Sequence, residues 1–195
     1  MALTGWTEGT FTADGRTRPT WTRGTGPGVV VIHEIPGITP AVQRFAERVV
    51  DAGFTVTMPL LVGEAGREPS GRYLASSFAK VCVSREFTSM ATGSTSPVIS
   101  WLRALAASLH ASAGGPGVGA VGRRAEAGCQ VLGLRYTGDK LVGSRFDSLR
   151  ELLGDRFVAV EFLSTSRSDH SVLTEQPQET GIEAVLDFLR SRLLV

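Results

Sequence analysis

Gly26-Pro27-Gly28-Val29-Val30-Val31-Ile32-His33-Glu34-Ile35-Pro36-Gly37-Ile38-Thr39-Pro40 is the stretch on which the reading of this chain turns. A Gly/Pro break precedes a run of β-branched residues, Val29 to Ile32. The run stops at two polar side chains, and a Pro/Gly loop follows. A short unbroken apolar run bounded by turn signals predicts a strand buried on both faces, as in parallel sheets. In open α/β sheets, ligands bind at the loops leaving the carboxyl ends of such strands. His33 and Glu34 stand at that end and are therefore candidates for chemistry.

Working outward, Thr39 and Pro40 predict an N-cap followed by proline at the first helical position. Val42, Phe45, Ala46, Val49 and Val50 recur at helical spacing, with Gln43, Arg44, Glu47 and Arg48 on the other face. Gly53 ends that helix, and Phe54 to Leu60 reads as the next strand, completing a βαβ unit. Upstream, residues 7–25 predict a polar β-hairpin. Asp14-Gly15 supplies its turn, threonine and aromatic residues alternate along its arms, and Pro19 places the second arm at a sheet edge.

Downstream, residues 62–96 are rich in Gly, Ser and Arg, with a helix expected around Tyr73–Val83. Pro97 begins a helix that runs to His110. A break at Gly114–Gly117 precedes a short strand, Val118–Gly122, and a second strand runs from Cys129 to Tyr136. Thr137-Gly138-Asp139 closes that strand. A helix over Arg145–Leu153, a strand over Phe157–Leu163, a loop carrying His170 and a helix over Ile182–Leu194 complete the chain. The alternation predicts one α/β domain over residues 1–195: a mostly parallel, doubly wound sheet, with residues 1–25 as a hairpin extension.

Composition narrows the function classes. The 195 residues are 42% hydrophobic and 20% charged, with a net charge of +1. That balance leaves no electrostatic footprint for nucleic acid or an acidic membrane. Two cysteines, Cys82 and Cys129, are too few for a disulfide framework and lack metal-ligand spacing. No metal and no cofactor are expected. The first residues lack a basic segment followed by an apolar one, and no apolar run reaches the ~18 residues of a membrane span. A cytoplasmic protein is expected. Gly117 to Gly122 matches G-x-G-x-x-G, but a dinucleotide fingerprint must follow a strand and open a helix, whereas here the motif is itself the strand.

Polar residues at the predicted carboxyl ends of strands are His33-Glu34, Asp139 and His170. Asp139 followed by His170, each in a loop after a strand, reproduces the second half of an α/β-hydrolase triad, in the order nucleophile, acid, base. A buried carboxylate fixes the tautomer of the histidine and stabilises the imidazolium formed during attack. Plainer roles exist for each. Asp139 suits a Thr-Gly-Asp-Lys turn, His170 suits a solvated polar loop, and His33-Glu34 suits an exposed strand end. His110 suits a charge at a helix C-terminus.

These motifs carry a resemblance. His33-Glu34-Ile35-Pro36-Gly37 resembles the His-Glu-x-x-Gly segment of the dienelactone hydrolase family. Thr137-Gly138-Asp139-Lys140-Leu141-Val142 and Asp169-His170-Ser171-Val172-Leu173-Thr174 resemble its acid and base motifs. The likeness extends over most of residues 25–195. It implies an α/β-hydrolase fold and cleavage of a small-molecule carboxylic ester or lactone by a Cys-His-Asp triad. By the same likeness Asp139 orients His170, the backbone N–H of Ile35 is one oxyanion donor, and Glu34 meets the resting nucleophile.

The departure is at the nucleophile. Where the family has a Gly-x-Cys-x-Gly-Gly elbow, this chain reads Gly122-Arg123-Arg124-Ala125-Glu126-Ala127-Gly128. Arg124 occupies the nucleophile position, and the segment holds no Ser, Cys or Thr. A crossover between parallel neighbours takes about a dozen residues, yet only Arg123 to Gly128 join the two predicted strands. Such a segment spans about 20 Å when fully extended. An internal deletion near 122–128, removing the elbow βα unit, is the expectation. Cys129 opens the strand that delivers Asp139 and should lie at the sheet's far end. Cys82 has Lys80 and Arg85 nearby, but neither an elbow nor a helix N-terminus. Two outcomes follow: a family hydrolase crippled by loss of its nucleophile, or a non-catalytic remnant that binds a ligand or partner. Surfaces exposed by the deletion should favour self-association.

Overall fold

The computed structural model describes residues 3–83, 97–112, 130–139, 144–166 and 169–194. The strand expected over 118–122, the junction at 122–128 and Cys129 lie outside these residues. The chain divides into two compact units, Met1–Gly115 and Pro116–Val195.

In the first unit the hairpin forms as expected. Strand β1, Thr7–Ala13, pairs antiparallel with β2, Arg16–Arg23. Asp14 and Gly15 both take positive φ, at 51° and 70°, as a two-residue turn matched to strand twist requires. Strand β3, Gly28–Val30, leads through helix α1, Pro40–Asp51, into β4, Thr55–Pro59, which pairs parallel to β3. The sheet order is β1-β2-β4-β3. Thr39 caps α1, its hydroxyl accepting from the Val42 N–H at 3.3 Å. Helix α2, Gly71–Val83, and helix α3, Pro97–Ser112, follow.

Side-chain alternation puts Phe11 and Gly28 on one face of this sheet and Arg23 and Val56 on the other. Helix α3 lies on the first face. Its buried Trp101 meets Phe11 edge-on at 5.4 Å and donates its indole N–H to the Arg16 carbonyl at 3.0 Å, and Leu109 lies beside Gly28. Helix α1 is tied to the opposite face by Arg23 and Glu47, 3.8 Å apart. It buries Ala41, Val42, Ala46 and Val49, while Phe45 and Val50 of the stripe read from the sequence are half-buried.

Two local expectations need correction. Pro19 is not on an edge strand, because β2 lies between β1 and β4. Its carbonyl accepts from Leu60 N–H just past Thr20↔Pro59, the last β2–β4 pair. Its missing N–H therefore falls at the end of the β2–β4 ladder. The strand after Gly26 is also shorter and less covered than a run buried on both faces. Val29 and Val30 are half-buried, and Ile32 is 55% exposed. The ladder ends as Val31 N–H reaches the Thr57 carbonyl, and Ile32 turns outward beyond it.

The second unit pairs β5, Val131–Tyr136, in parallel with β6, Phe157–Phe162. Between them lie helix α4, Arg145–Leu153, and a 3-10 turn, Gly154–Arg156. Helix α5, Glu179–Leu193, follows β6. Phe146 of α4 meets Phe157 edge-on at 5.1 Å over Gly133. On the same face Arg135 donates to Glu161 at 2.7 Å and stacks over Phe146. Glycine at 133 leaves room for both rings, because a Cβ there would overlap Phe157 and come within 2.9 Å of Phe146. On the other face, Gly181 of α5 packs against Phe162 and Leu134. Each unit is thus a sheet with helices on both faces, an α/β architecture. No described helix is long and apolar enough to cross a membrane.

Gly133→Ala should destabilise the chain by about 1–3 kcal/mol, the usual cost of overpacking. A fall in the urea midpoint with an unchanged slope would show it, and an unchanged midpoint would mean that the two rings move aside freely.

Candidate active site

The residues singled out by sequence sit where parallel strands end. In the first unit, His33 follows β3 and is buried. Its Nε2 accepts from the Leu61 N–H at 2.9 Å, just beyond β4, so Nδ1 carries the hydrogen and donates to the Glu34 carbonyl at 2.7 Å. Burial holds the ring's pKa below its ordinary 6.5. The Glu34 carbonyl and the Glu34 charge oppose that shift and are outweighed. His33 is therefore a neutral brace between the exits of β3 and β4.

Glu34 is half-buried, at the head of a turn closed by the Gly37 N–H on its carbonyl at 3.0 Å. Ile35 is next, joined to Pro36 by a cis peptide bond, and no described residue accepts from its backbone N–H. Tyr73, at the start of α2, locks this loop to the one after β4. Its hydroxyl donates to the Pro36 carbonyl at 3.0 Å and accepts from the Glu64 N–H at 2.6 Å. Gly63 makes that approach feasible: its φ is +75°, and a Cβ there would overlap the Pro36 carbonyl oxygen.

In the second unit, Asp139 and His170 come together. His170 Nδ1 lies 2.8 Å from Asp139 Oδ2; the imidazole is 44% exposed and the carboxylate 2%. The parallel pairing of β5 and β6 creates this meeting, because Asp139 lies in the loop after β5 and His170 in the loop after β6. With Nδ1–H donated to the carboxylate, the Nε2 lone pair is left for chemistry, the arrangement a general base needs.

Residues that sequence reading missed hold the pair in place. The Gln176 side-chain oxygen accepts from the backbone N–H groups of His170 and Ser171, at 3.3 and 3.2 Å. The Gln176 carbonyl accepts from the Tyr136 hydroxyl at 2.7 Å, pinning the His170 loop to the end of β5. Ser164 Oγ accepts from Gly138 N–H at 2.7 Å, joining the acid loop to the base loop. Asp169 accepts from the N–H groups of Ser166 and Thr165, which hold its carboxyl below its usual pKa despite burial. The small polar run Ser164-Thr165-Ser166 ahead of Asp169 was the available signal for that turn.

The structure thus brings Asp139 and His170 together in one unit and places Glu34 and Ile35 side by side in the other. The elbow segment and Cys129 lie outside the described residues. Cys82 lies on α2, and His110 on α3. Among the described residues, no group of three or more His, Cys, Asp or Glu could hold a metal ion.

A pH prediction follows from His33. The unfolded chain takes up a proton at this histidine near pH 6.5, while the folded ring resists it. The stability from this site should be complete above that pH and lost as pH falls through the lowered folded value. His33→Gln keeps an acceptor for Leu61 but does not titrate. Urea midpoints measured from pH 8 to pH 5 should fall more steeply for the native chain than for the variant. Parallel curves would show that another group sets the acid limb.

Comparison with known proteins bears on this geometry. Residues 16–107 match the model of the dienelactone hydrolase family, a stretch lying wholly within the first unit. No curated protein matches. Among solved structures, the chain resembles a cold-adapted esterase from an Arctic intertidal metagenomic library, solved as a PEG-bound complex. The TM-score is 0.57 and the identity 16%, covering 99% of this chain and 97% of that one. At that identity the likeness is one of fold, and it agrees with the α/β architecture. Over residues 16–107, a little under half of its length, this chain is similar to the dienelactone hydrolase family.

Proposed function

We propose that this chain takes a small carboxylic ester or lactone and that Asp139 and His170 are the acid and base of its hydrolytic site. The observation carrying this reading is the 2.8 Å hydrogen bond from a half-exposed imidazole to a carboxylate that is 2% exposed. A turn-forming aspartate has no need of burial, and a solvated histidine has no need of a carboxylate. The family match supports the reaction class, and the parallel β5–β6 pair supports the placement. In this reading, Ile35 N–H serves as an oxyanion donor and Glu34 as the carboxylate that meets a nucleophile.

The nucleophile is the missing part. Gly122 to Gly128 holds no Ser, Cys or Thr, and Arg124 stands at the elbow position. An internal deletion of the elbow βα unit accounts for both this composition and the short junction. Loss of a triad nucleophile costs about six orders of magnitude in turnover. The same residues favour a second reading, a non-catalytic remnant that retains a binding role. The alignment of one esterase chain over 99% of this one supports taking the two units as halves of a single domain. Exposed Ile32, Leu152 and Leu163, at 55%, 76% and 83%, support self-association. Two cysteines without framework spacing suit a reducing cytoplasm.

Turnover of p-nitrophenyl acetate should be about 10⁶-fold below that of an intact-triad esterase assayed alongside. His170→Ala should bring the residue of that rate down to the buffer background. Turnover at intact-triad levels would refute the crippled site, and a residual rate indifferent to His170→Ala would favour the non-catalytic remnant.

A further inference from the structure

We propose that His170 is itself an acyl acceptor in this chain. Its Nε2 attacks activated aryl esters, carries the acyl group as an acyl-imidazole and passes it to water. The inference rests on the reading of Asp139 and His170 as a reactive pair; it adds a nucleophile and a substrate class.

The geometry points to direct attack. Nδ1 is committed to Asp139 at 2.8 Å, and among the described residues no group hydrogen-bonds to Nε2. No described hydroxyl or thiol therefore stands where a general base would deprotonate it. The ring is 44% exposed, so an acyl donor can reach it. It is also fixed in place. The Gln176 amide oxygen holds the backbone N–H groups of His170 and Ser171, and Asp169, just before it, is anchored by Thr165 and Ser166. A fixed imidazole with one nitrogen on a buried carboxylate and the other exposed has the elements of a nitrogen nucleophile.

The chemistry balances without a further reactant. The Nε2 lone pair forms a bond to the ester carbonyl carbon, and the carbon–oxygen bond to the aryl group breaks, its electron pair leaving with the phenolate. The positive charge gained by the ring is stabilised by Asp139 through the Nδ1–H hydrogen bond. Water then attacks the acyl carbon, the carbon–Nε2 bond breaks with its pair returning to nitrogen, and the carboxylic acid departs with the water oxygen and one of its protons, the other passing to bulk water. The leaving group sets the substrate class. Imidazole is expelled from the tetrahedral intermediate far more readily than an alkoxide, so an alkyl ester reverts, whereas a phenolate leaves competitively. Aryl esters should react, and simple alkyl esters should not.

p-Nitrophenyl pivalate is the probe, because its hindered acyl group slows the second step. Mixing it with the full chain should release a stoichiometric burst of p-nitrophenolate and leave one pivaloyl group, mapped to His170 by peptide mass spectrometry. Ethyl pivalate should leave none. His170→Gln should abolish burst and adduct. Asp139→Asn, checked for native circular dichroism, should slow the burst by about tenfold or more while the adduct stays on His170. An adduct on Cys82, Cys129 or a serine overturns the proposal, as does equal labelling of the three histidines. His170-dependent turnover with no adduct also overturns it and leaves the base reading standing. Turnover and labelling indifferent to His170→Gln would sink both.

Discussion

Backbone N–H groups leaving the carboxyl end of a parallel strand have no rung to join, and both units of this protein are built around that constraint. In the first unit the His33 ring takes the Leu61 N–H and returns a hydrogen to the Glu34 carbonyl. In the second, Ser164 takes the Gly138 N–H, and Gln176 takes those of His170 and Ser171. His33 and Ser164 each use a side chain from one strand exit to satisfy backbone at the neighbouring exit, and Gln176 satisfies backbone within its own loop. The satisfied loops hold Glu34 and Ile35 in one unit and Asp139 and His170 in the other. Leaving a buried amide unsatisfied costs about 1–3 kcal/mol, a penalty that bears on the part-buried amides of Leu61 and Ser171.

The two conspicuous histidines illustrate how environment divides one residue type between two roles. His33 is buried, both ring nitrogens are occupied, and burial keeps it neutral. His170 is half-exposed, with one nitrogen on a buried carboxylate. A ring with both nitrogens engaged in bracing has no lone pair to offer a substrate. By sequence position His33 looked like part of the chemistry, since it ends the apolar run. Its structural partner, the N–H of Leu61, is a backbone group, and side-chain identity carries no trace of such a bond.

Much of the architecture was legible because it rests on local rules. The Asp14-Gly15 turn, the Thr39 cap, the apolar stripe of α1 and the βαβ order follow from φ preferences and periodicity within short windows. The Asp139–His170 pairing was legible for a different reason: chain order plus strand ends restricts which loops share an edge of the sheet. Pro19 and Ile32 were misread because each depends on how far a neighbouring strand extends. β4 ends just where Pro19 would have needed a partner, and β3 leaves the ladder before Ile32.

What the sequence determined by itself is therefore the α/β class, the positions of most helices and strands, and the absence of Ser, Cys and Thr from Gly122 to Gly128. Those follow from residue identity and short-range geometry. Only the tertiary structure decided that His33 is a brace, that Gln176 and Ser164 tie the loops after β5 and β6, and that the Asp139 carboxylate is buried beneath an accessible imidazole. These are matters of long-range hydrogen bonding and solvent exclusion. Gln176 reaches the end of β5 across 40 residues of chain. Burial depends on what the whole unit folds over a group, and the group's own sequence neighbours do not record it.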